Sequence, residues 1–153
     1  MQWELAQFNV ALLKAPLDHP DTAEFVANLE TINSVAESSP GFVWRLTDDS
    51  GLSSSYVASY DDPLMIINYS IWATPDDLHS FVFATSHTAF LRRRREWFQP
   101  VDEAILVCWW IPDGTRPPVD EAQRRLELLR KHGPSADAFT LRRRFPPPGA
   151  VAS

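Results

Sequence analysis

The sequence predicts an α+β fold whose elements follow the order strand–helix–strand–strand–helix–strand. Three observations support it. The runs Trp3–Leu13 and Leu64–Ala73 alternate between apolar and polar residues, as half-buried strands do. The stretches that follow Asp21 and Thr74 repeat apolar residues at helical spacing. Ala104–Ile111 is an apolar run of strand length, and Phe42–Leu46 reads as the remaining strand.

The first and third predicted strands each have one mixed face. Gln7 and Asn9 share a face of the first strand, and Asn68, Ser70 and Trp72 share a face of the third. A buried amide needs hydrogen-bond partners. These side chains therefore either satisfy one another or line a ligand cavity.

The caps predict where the helices begin. Asp21 is a suitable N-cap with Glu24 as its capping-box partner, and this helix ends at Ser38-Ser39-Pro40-Gly41. Thr74 caps the second helix, ahead of a proline and two acidic residues in the first turn. A helical pattern resumes from Ser86 to about Phe98.

This order is the ferredoxin-like split βαβ pattern, an antiparallel sheet with its helices on one face. The other face would still carry apolar and aromatic groups. A second copy of the chain is the simplest cover, so we expect a homodimer.

A further, C-terminal helix is predicted between Pro117 and Gly133. Its expected inner face carries Val119, Ala122, Leu126 and Leu129. The prolines and small residues of 147–153 predict a disordered tail. The chain is therefore expected to form one domain over residues 1–146.

Composition excludes several classes of protein. The net charge of −6 argues against general affinity for nucleic acid or an anionic membrane. The single cysteine, Cys108, rules out an intramolecular disulfide and fits a reducing compartment. The N-terminus lacks a basic, apolar signal pattern, and the longest apolar run is too short to span a bilayer. We expect a cytoplasmic protein with neither nucleic-acid nor membrane partners.

The predicted topology would bring Asn9, Trp72 and His87 to one cleft between sheet and helix. An amide, an indole and an imidazole can hold and polarise a flat apolar ligand. The candidate catalytic residues are His87 and Asn9, because an imidazole with a pKa of about 6.5 exchanges protons near neutrality. The candidate substrate-binding residues are Gln7, Trp72 and Asn68.

Each candidate also has a purely structural interpretation. Trp72 is a typical core residue, and His87 could hydrogen-bond at a helix bend. No HExxH pattern occurs, so no metal site is predicted. Arg92–Arg95 would cover most of a helix circumference and so form a solvated face. The alternative is that one arginine pairs with a carboxylate of a ligand or of a partner subunit.

Several stretches together resemble one family. The specific ones are Pro40-Gly41-Phe42-Val43-Trp44-Arg45-Leu46 and Arg92-Arg93-Arg94-Arg95-Glu96-Trp97-Phe98. The chain resembles domain-of-unknown-function family 3291 of the dimeric α+β barrel superfamily, which implies a fold and a dimer but no reaction. More distant relatives include cofactor-independent monooxygenases, polyketide cyclases and haem-degrading monooxygenases. The haem degraders use an Asn, a Trp and a His to which Asn9, Trp72 and His87 are similar in type and order.

Our first hypothesis is an enzyme that oxidises, isomerises or cyclises an aromatic or polycyclic substrate without a cofactor. Asn9 and Gln7 would bind a substrate oxygen, His87 would move a proton, and Trp72 would stack on the substrate. One alternative is a haem-binding or haem-degrading protein with His87 as ligand. The other is a small-molecule-binding protein without catalytic activity, so whether the chain is an enzyme at all stays open.

Overall fold

The computed structural model describes residues 2–47, 62–83 and 92–149 of the chain. Its strands are β1 (Trp3–Leu13), β2 (Phe42–Arg45), β3 (Met65–Trp72), β4 (Phe98–Gln99) and β5 (Leu106–Pro112). Its helices are α1 (Ala23–Ser38), α2 (Pro75–Val82), α3 (Arg94–Trp97) and α4 (Val119–His132). The predicted α+β fold with an antiparallel sheet and an extra C-terminal helix is confirmed.

Strand β1 lies at the centre of the sheet. It pairs antiparallel with β3 along one edge, and β2 pairs antiparallel with the outer edge of β3. Along its other edge β1 pairs with β5 and, through Leu12 and Leu13, with β4. The resulting order, β2-β3-β1 followed by β4 and β5, is the ferredoxin-like arrangement.

Helices α1 and α2 pack on one face of this sheet. The apolar side chains there form two separate clusters. The first contains Leu5, Ala36, Trp72, Leu78, Cys108 and Phe139. The second contains Leu13, Phe25, Ile66 and Trp97. The candidate site lies in the gap between the two clusters.

Helix α4 covers the opposite face of the sheet. Ala122, Leu126 and Leu129 are buried there, as the helical spacing predicted, against Phe8, Tyr69, Trp109 and their neighbours. The Tyr69 hydroxyl donates to the carbonyl oxygen of Pro117 over 2.7 Å and so holds the start of α4. The uncovered apolar face that motivated the homodimer is therefore covered by the chain's own helix. The homodimer remains a prediction, but an uncovered apolar face no longer supports it.

One predicted helix boundary was wrong, and another agrees to within one residue. The backbone N–H of Asp21 donates to Nδ1 of His19 within a short 3₁₀ turn, Pro20–Thr22, and α1 begins only at Ala23. The third helix ends at Trp97, because Phe98 leaves the helix to pair with Leu13. By contrast, Thr74 caps α2 as predicted, accepting from the N–H of Asp77.

The chain returns to the α1–α2 side of the sheet after α4. Phe139 and Cys108 exchange two backbone hydrogen bonds of 2.7 and 2.9 Å at the free edge of β5. Further on, Arg144 pairs with Asp76 of α2 at 2.7 Å. Burial raises the pKa of the Cys108 thiol to about 12, so this residue acts as a small core hydrophobe. No helix in the described ranges is long and apolar enough to cross a membrane.

Candidate active site

A band of polar side chains separates the two apolar clusters beneath α1 and α2. We call this band the polar stripe: Gln7, Asn9, Asn68 and Ser70. In the β1–β3 register Gln7 lies opposite Ser70, and Asn9 lies opposite Asn68. One apolar cluster begins at the next inward-facing pair, Leu5 and Trp72, and the other begins beyond the asparagines. The structure therefore places three predicted site amides side by side.

The buried end of the polar stripe is a hydrogen-bonded network. The Gln7 amide Nε2 donates to Ser70 Oγ over 3.0 Å and to Asn68 Oδ1 over 3.2 Å. The Trp72 indole Nε1 donates to the same Ser70 oxygen over 2.9 Å. Gln7 is 3% exposed and Ser70 is 8% exposed, so water does not replace these bonds. Both amide hydrogens of Gln7 are used within the protein.

Counting donors and acceptors shows what the polar stripe leaves for a ligand. Ser70 Oγ accepts two hydrogen bonds, so its hydroxyl hydrogen remains available as a donor. Asn68 Oδ1 accepts from Gln7, which leaves the Nδ2 hydrogens of Asn68 available. The Asn9 side chain has no hydrogen-bond partner in the described part of the chain. Several unused hydrogen-bond donors thus lie on neighbouring positions of β1 and β3.

Exposure increases along the polar stripe. Gln7 and Ser70 are buried, Asn9 is half-buried, and Asn68 is exposed. Strand β2 ends opposite Ser70, so no described strand lies beyond β3 beside Asn68. A molecule from solvent can reach the asparagines, whereas Gln7 and Ser70 lie behind them.

Trp72 does not have the surroundings expected of a substrate platform. It is 1% exposed, its ring is stacked on Phe81 at 5.2 Å, and Phe42 makes an edge contact at 5.5 Å. The predicted stacking of a ligand on Trp72 stays a prediction, and in this structure Phe81 of α2 occupies the position of the aromatic partner. Trp72 instead fixes the position of Ser70.

Helix α1 contributes a polar residue that sequence reasoning missed. Asn33 is buried, at helical spacing from Phe25 in one apolar cluster and Ala36 in the other. It lies on α1 between Phe25 and Ala36, the positions that pack on the two clusters. Its spacing of four residues from Leu29 is the sequence signal that could have identified it. Ser70 was likewise placed on the correct face but was not included among the site residues.

His87 lies outside the described residues, so its predicted proton-transfer role stays a prediction. The described histidines, at positions 19, 79 and 132, are all exposed. None of them is a residue of the polar stripe, so the described residues give the haem alternative no support. Nor do they contain a group of three or more His, Cys, Asp or Glu side chains that could hold a metal ion.

Comparisons with solved structures support the fold alone. A protein from Shewanella oneidensis is 10% identical, with a TM-score of 0.50 over 72% of this chain and 91% of that chain. SnoaB, a cofactor-independent oxygenase from Streptomyces nogalater, is 13% identical, with a TM-score of 0.49 over 75% and 97%. A dabb family protein with a ferredoxin-like fold from Mesorhizobium loti is 16% identical, with a TM-score of 0.46 over 74% and 100%.

Sequence comparison identifies the family. No curated protein matches the chain significantly. The profile of one family, described as a domain of unknown function (DUF3291), matches residues 4–153, which is nearly the whole chain. The chain therefore belongs to the DUF3291 family.

Proposed function

We propose that the protein is a small-molecule enzyme and that the polar stripe binds an oxygen atom of an aromatic or polycyclic substrate. The observation that carries this proposal is the set of unused donors on Asn9, Asn68 and Ser70, held beside a buried network. An amide on a half-buried sheet face without a protein partner loses free energy unless water or a ligand supplies the bond. A substrate carbonyl or phenol oxygen supplies it.

The same donors suit an oxygen that becomes negatively charged. When a carbon beside a carbonyl loses a proton, charge develops on the carbonyl oxygen, and preorganised N–H and O–H donors stabilise it. The preorganisation here comes from Gln7 and Trp72, whose hydrogen bonds hold Asn68 and Ser70 in place. His87 is the proposed proton acceptor.

The proposed reaction needs no cofactor. In an isomerisation or cyclisation, the proton held by His87 returns to the substrate at another atom. In an oxidation, dioxygen is the second substrate: the carbanionic carbon of the enolate bonds to one oxygen atom and the O–O bond then breaks, so that a CH2 group and O2 give a carbonyl group and water. A protein that binds the same molecules without converting them is the competing candidate, since the donors would serve binding equally well.

A ligand screen followed by product analysis tests the proposal. Phenols, quinones and polycyclic ketones are screened by thermal shift against the wild type, Asn9→Ala and Asn28→Ala. Asn28 is the matched control, because its amide Nδ2 donates to the backbone carbonyl oxygen of Glu24 within its own helix. We expect hits that stabilise the wild type and Asn28→Ala but lose affinity about tenfold or more in Asn9→Ala. Equal loss in both variants would contradict a ligand site at the polar stripe.

The hits are then incubated with the protein, with and without dioxygen, and analysed by mass spectrometry. New products that disappear in His87→Gln, while binding is retained, support catalysis. Hits that bind at the polar stripe and return unchanged under both conditions would establish the non-catalytic alternative.

A further inference from the structure

We propose that a second site, at the end of β1 far from the polar stripe, binds a small organic anion with an apolar body. A groove of about 630 Å³ opens there, large enough for a small ligand. We call it the basic groove; its lining residues are Lys14, Arg94, Arg95, Phe98, Gln99, Pro100 and Val101. Lys14 follows Asn9 by five strand positions, roughly 17 Å. The apolar cluster around Leu13 and Trp97 lies between the two sites.

No described carboxylate forms an ion pair with a cation of the basic groove. Several other arginines pair with carboxylates at described positions; these pairs include Arg45–Glu37, Arg116–Glu4, Arg125–Glu121, Arg130–Glu127 and Arg144–Asp76. Within α3 the one acidic side chain, Glu96, pairs with Arg93 and not with its other neighbours. Arg94 and Arg95 have no carboxylate partner within the described ranges.

Lys14 adds a third positive charge in a fixed position. Its Nζ donates to the backbone carbonyl oxygen of Arg95, which ties the ammonium group to the end of α3. The Gln99 side chain is also fixed, since its Nε2 donates to the carbonyl oxygen of Leu13 over 2.8 Å. Like charges gathered in one concave surface repel each other and raise the local concentration of anions. An anion bound there would relieve this repulsion.

The remaining walls of the basic groove indicate the chemistry of the uncharged part of the ligand. Phe98, Pro100 and Val101 supply apolar surface, and Phe98 is held by an edge contact with Phe25 at 5.0 Å. A guanidinium group matches a carboxylate with two parallel hydrogen bonds. Asp102 follows the groove and is exposed, but one carboxylate does not balance three cations. The chemistry therefore fits a carboxylate on an aromatic or aliphatic body better than inorganic phosphate.

Calorimetric titration with 1-naphthoate and its uncharged analogue 1-naphthamide tests this assignment. We expect the wild type to bind naphthoate about tenfold or more tightly than naphthamide, with the difference shrinking at high salt. The double variant Arg94→Gln/Arg95→Gln should lose about tenfold or more of the naphthoate affinity. The double variant Arg142→Gln/Arg143→Gln is the matched control, because both side chains are exposed and unpaired with described carboxylates. It has the same net charge and should keep the affinity.

Several results would overturn the proposal. Equal affinity for the acid and the amide would show that charge does not matter. Equal weakening in the two double variants would show non-specific attraction. Absence of binding up to about 5 mM naphthoate, a ceiling set by the weakest useful affinities, would reject the site. Binding of a thymidine oligonucleotide in place of naphthoate would reject it in favour of a nucleic-acid surface. A polycyclic probe can also bind at the polar stripe, which both double variants leave intact, so only the difference between the two double variants locates naphthoate at the basic groove.

Discussion

The amide Nε2 of Gln7 donates to the hydroxyl oxygen of Ser70 over 3.0 Å, across the pairing of β1 and β3. The same oxygen also accepts from the buried indole of Trp72. Ser70 Oγ thus accepts hydrogen bonds from two buried donors, and its own hydroxyl hydrogen takes no part in either bond. This one hydroxyl links the stability of the fold to the donors of the candidate site.

Replacing Ser70 by alanine should therefore destabilise the fold. Two buried N–H donors, on Gln7 and Trp72, lose their shared acceptor, and we expect a loss of about 1–3 kcal/mol in the free energy of unfolding. Urea denaturation measures the change, with Ser80→Ala on the exposed face of α2 as control. A loss no larger than the control's would mean that Ser70 does not anchor the network.

The close contact between the turn before β2 and α2 predicts that a substitution at Gly41 destabilises the fold. Gly41 has a φ of +80°, and a Cβ atom there would lie 2.5 Å from the Cβ of Asp77 and nearer still to its carboxyl group. Gly114 has a φ of +83° with open space around it. Gly114→Ala should cost about 1–2 kcal/mol from backbone strain alone. Gly41→Ala should cost clearly more, because it adds a steric clash with α2. Similar losses in the two variants would contradict the tight contact between this turn and α2.

The acidic residue Glu121 predicts a pH dependence. The side-chain hydrogen bonds from Arg124 and Arg125 lower the pKa of Glu121 from 4.5 to about 2. A carboxylate with a depressed pKa in the folded state stabilises the fold above its unfolded pKa and loses that contribution as pH falls through the folded pKa. The stability difference between wild type and Glu121→Gln should be full above pH 4.5 and vanish towards pH 2. A difference that does not depend on pH, measured by urea denaturation, would contradict the pairing.

The packing of α4 on the sheet predicts how the second face is protected in solution. Leu126 is fully buried against that face, so Leu126→Ala should lower the free energy of unfolding by about 2–5 kcal/mol. If α4 of the same chain is the cover, the unfolding midpoint should not change with protein concentration. A concentration-dependent midpoint, with about twice the mass of 17.4 kDa in sedimentation, would instead support the sequence-based homodimer.

Much of the fold could be predicted because its signals are local. The alternation of β1 and β3, the Thr74 cap and the inner face of α4 each depend on residues within a few positions of one another. The same period-two pattern correctly placed Gln7, Asn9, Asn68 and Trp72 on one side of the sheet. These features require no knowledge of distant contacts, so the sequence by itself determined them.

Only the tertiary structure decided which residues become partners. Asp21 carries a good cap signal, but the 3₁₀ turn at His19 uses its backbone N–H instead. The stacking of Phe81 of α2 on the Trp72 ring is a contact that the local pattern around Trp72 does not predict. The second sheet face could have been covered by another subunit until the chain turned back at Gly114 and laid α4 across it. Each outcome depends on contacts between groups that are far apart in sequence. Local sequence patterns do not encode these contacts, because they form only when the whole chain packs.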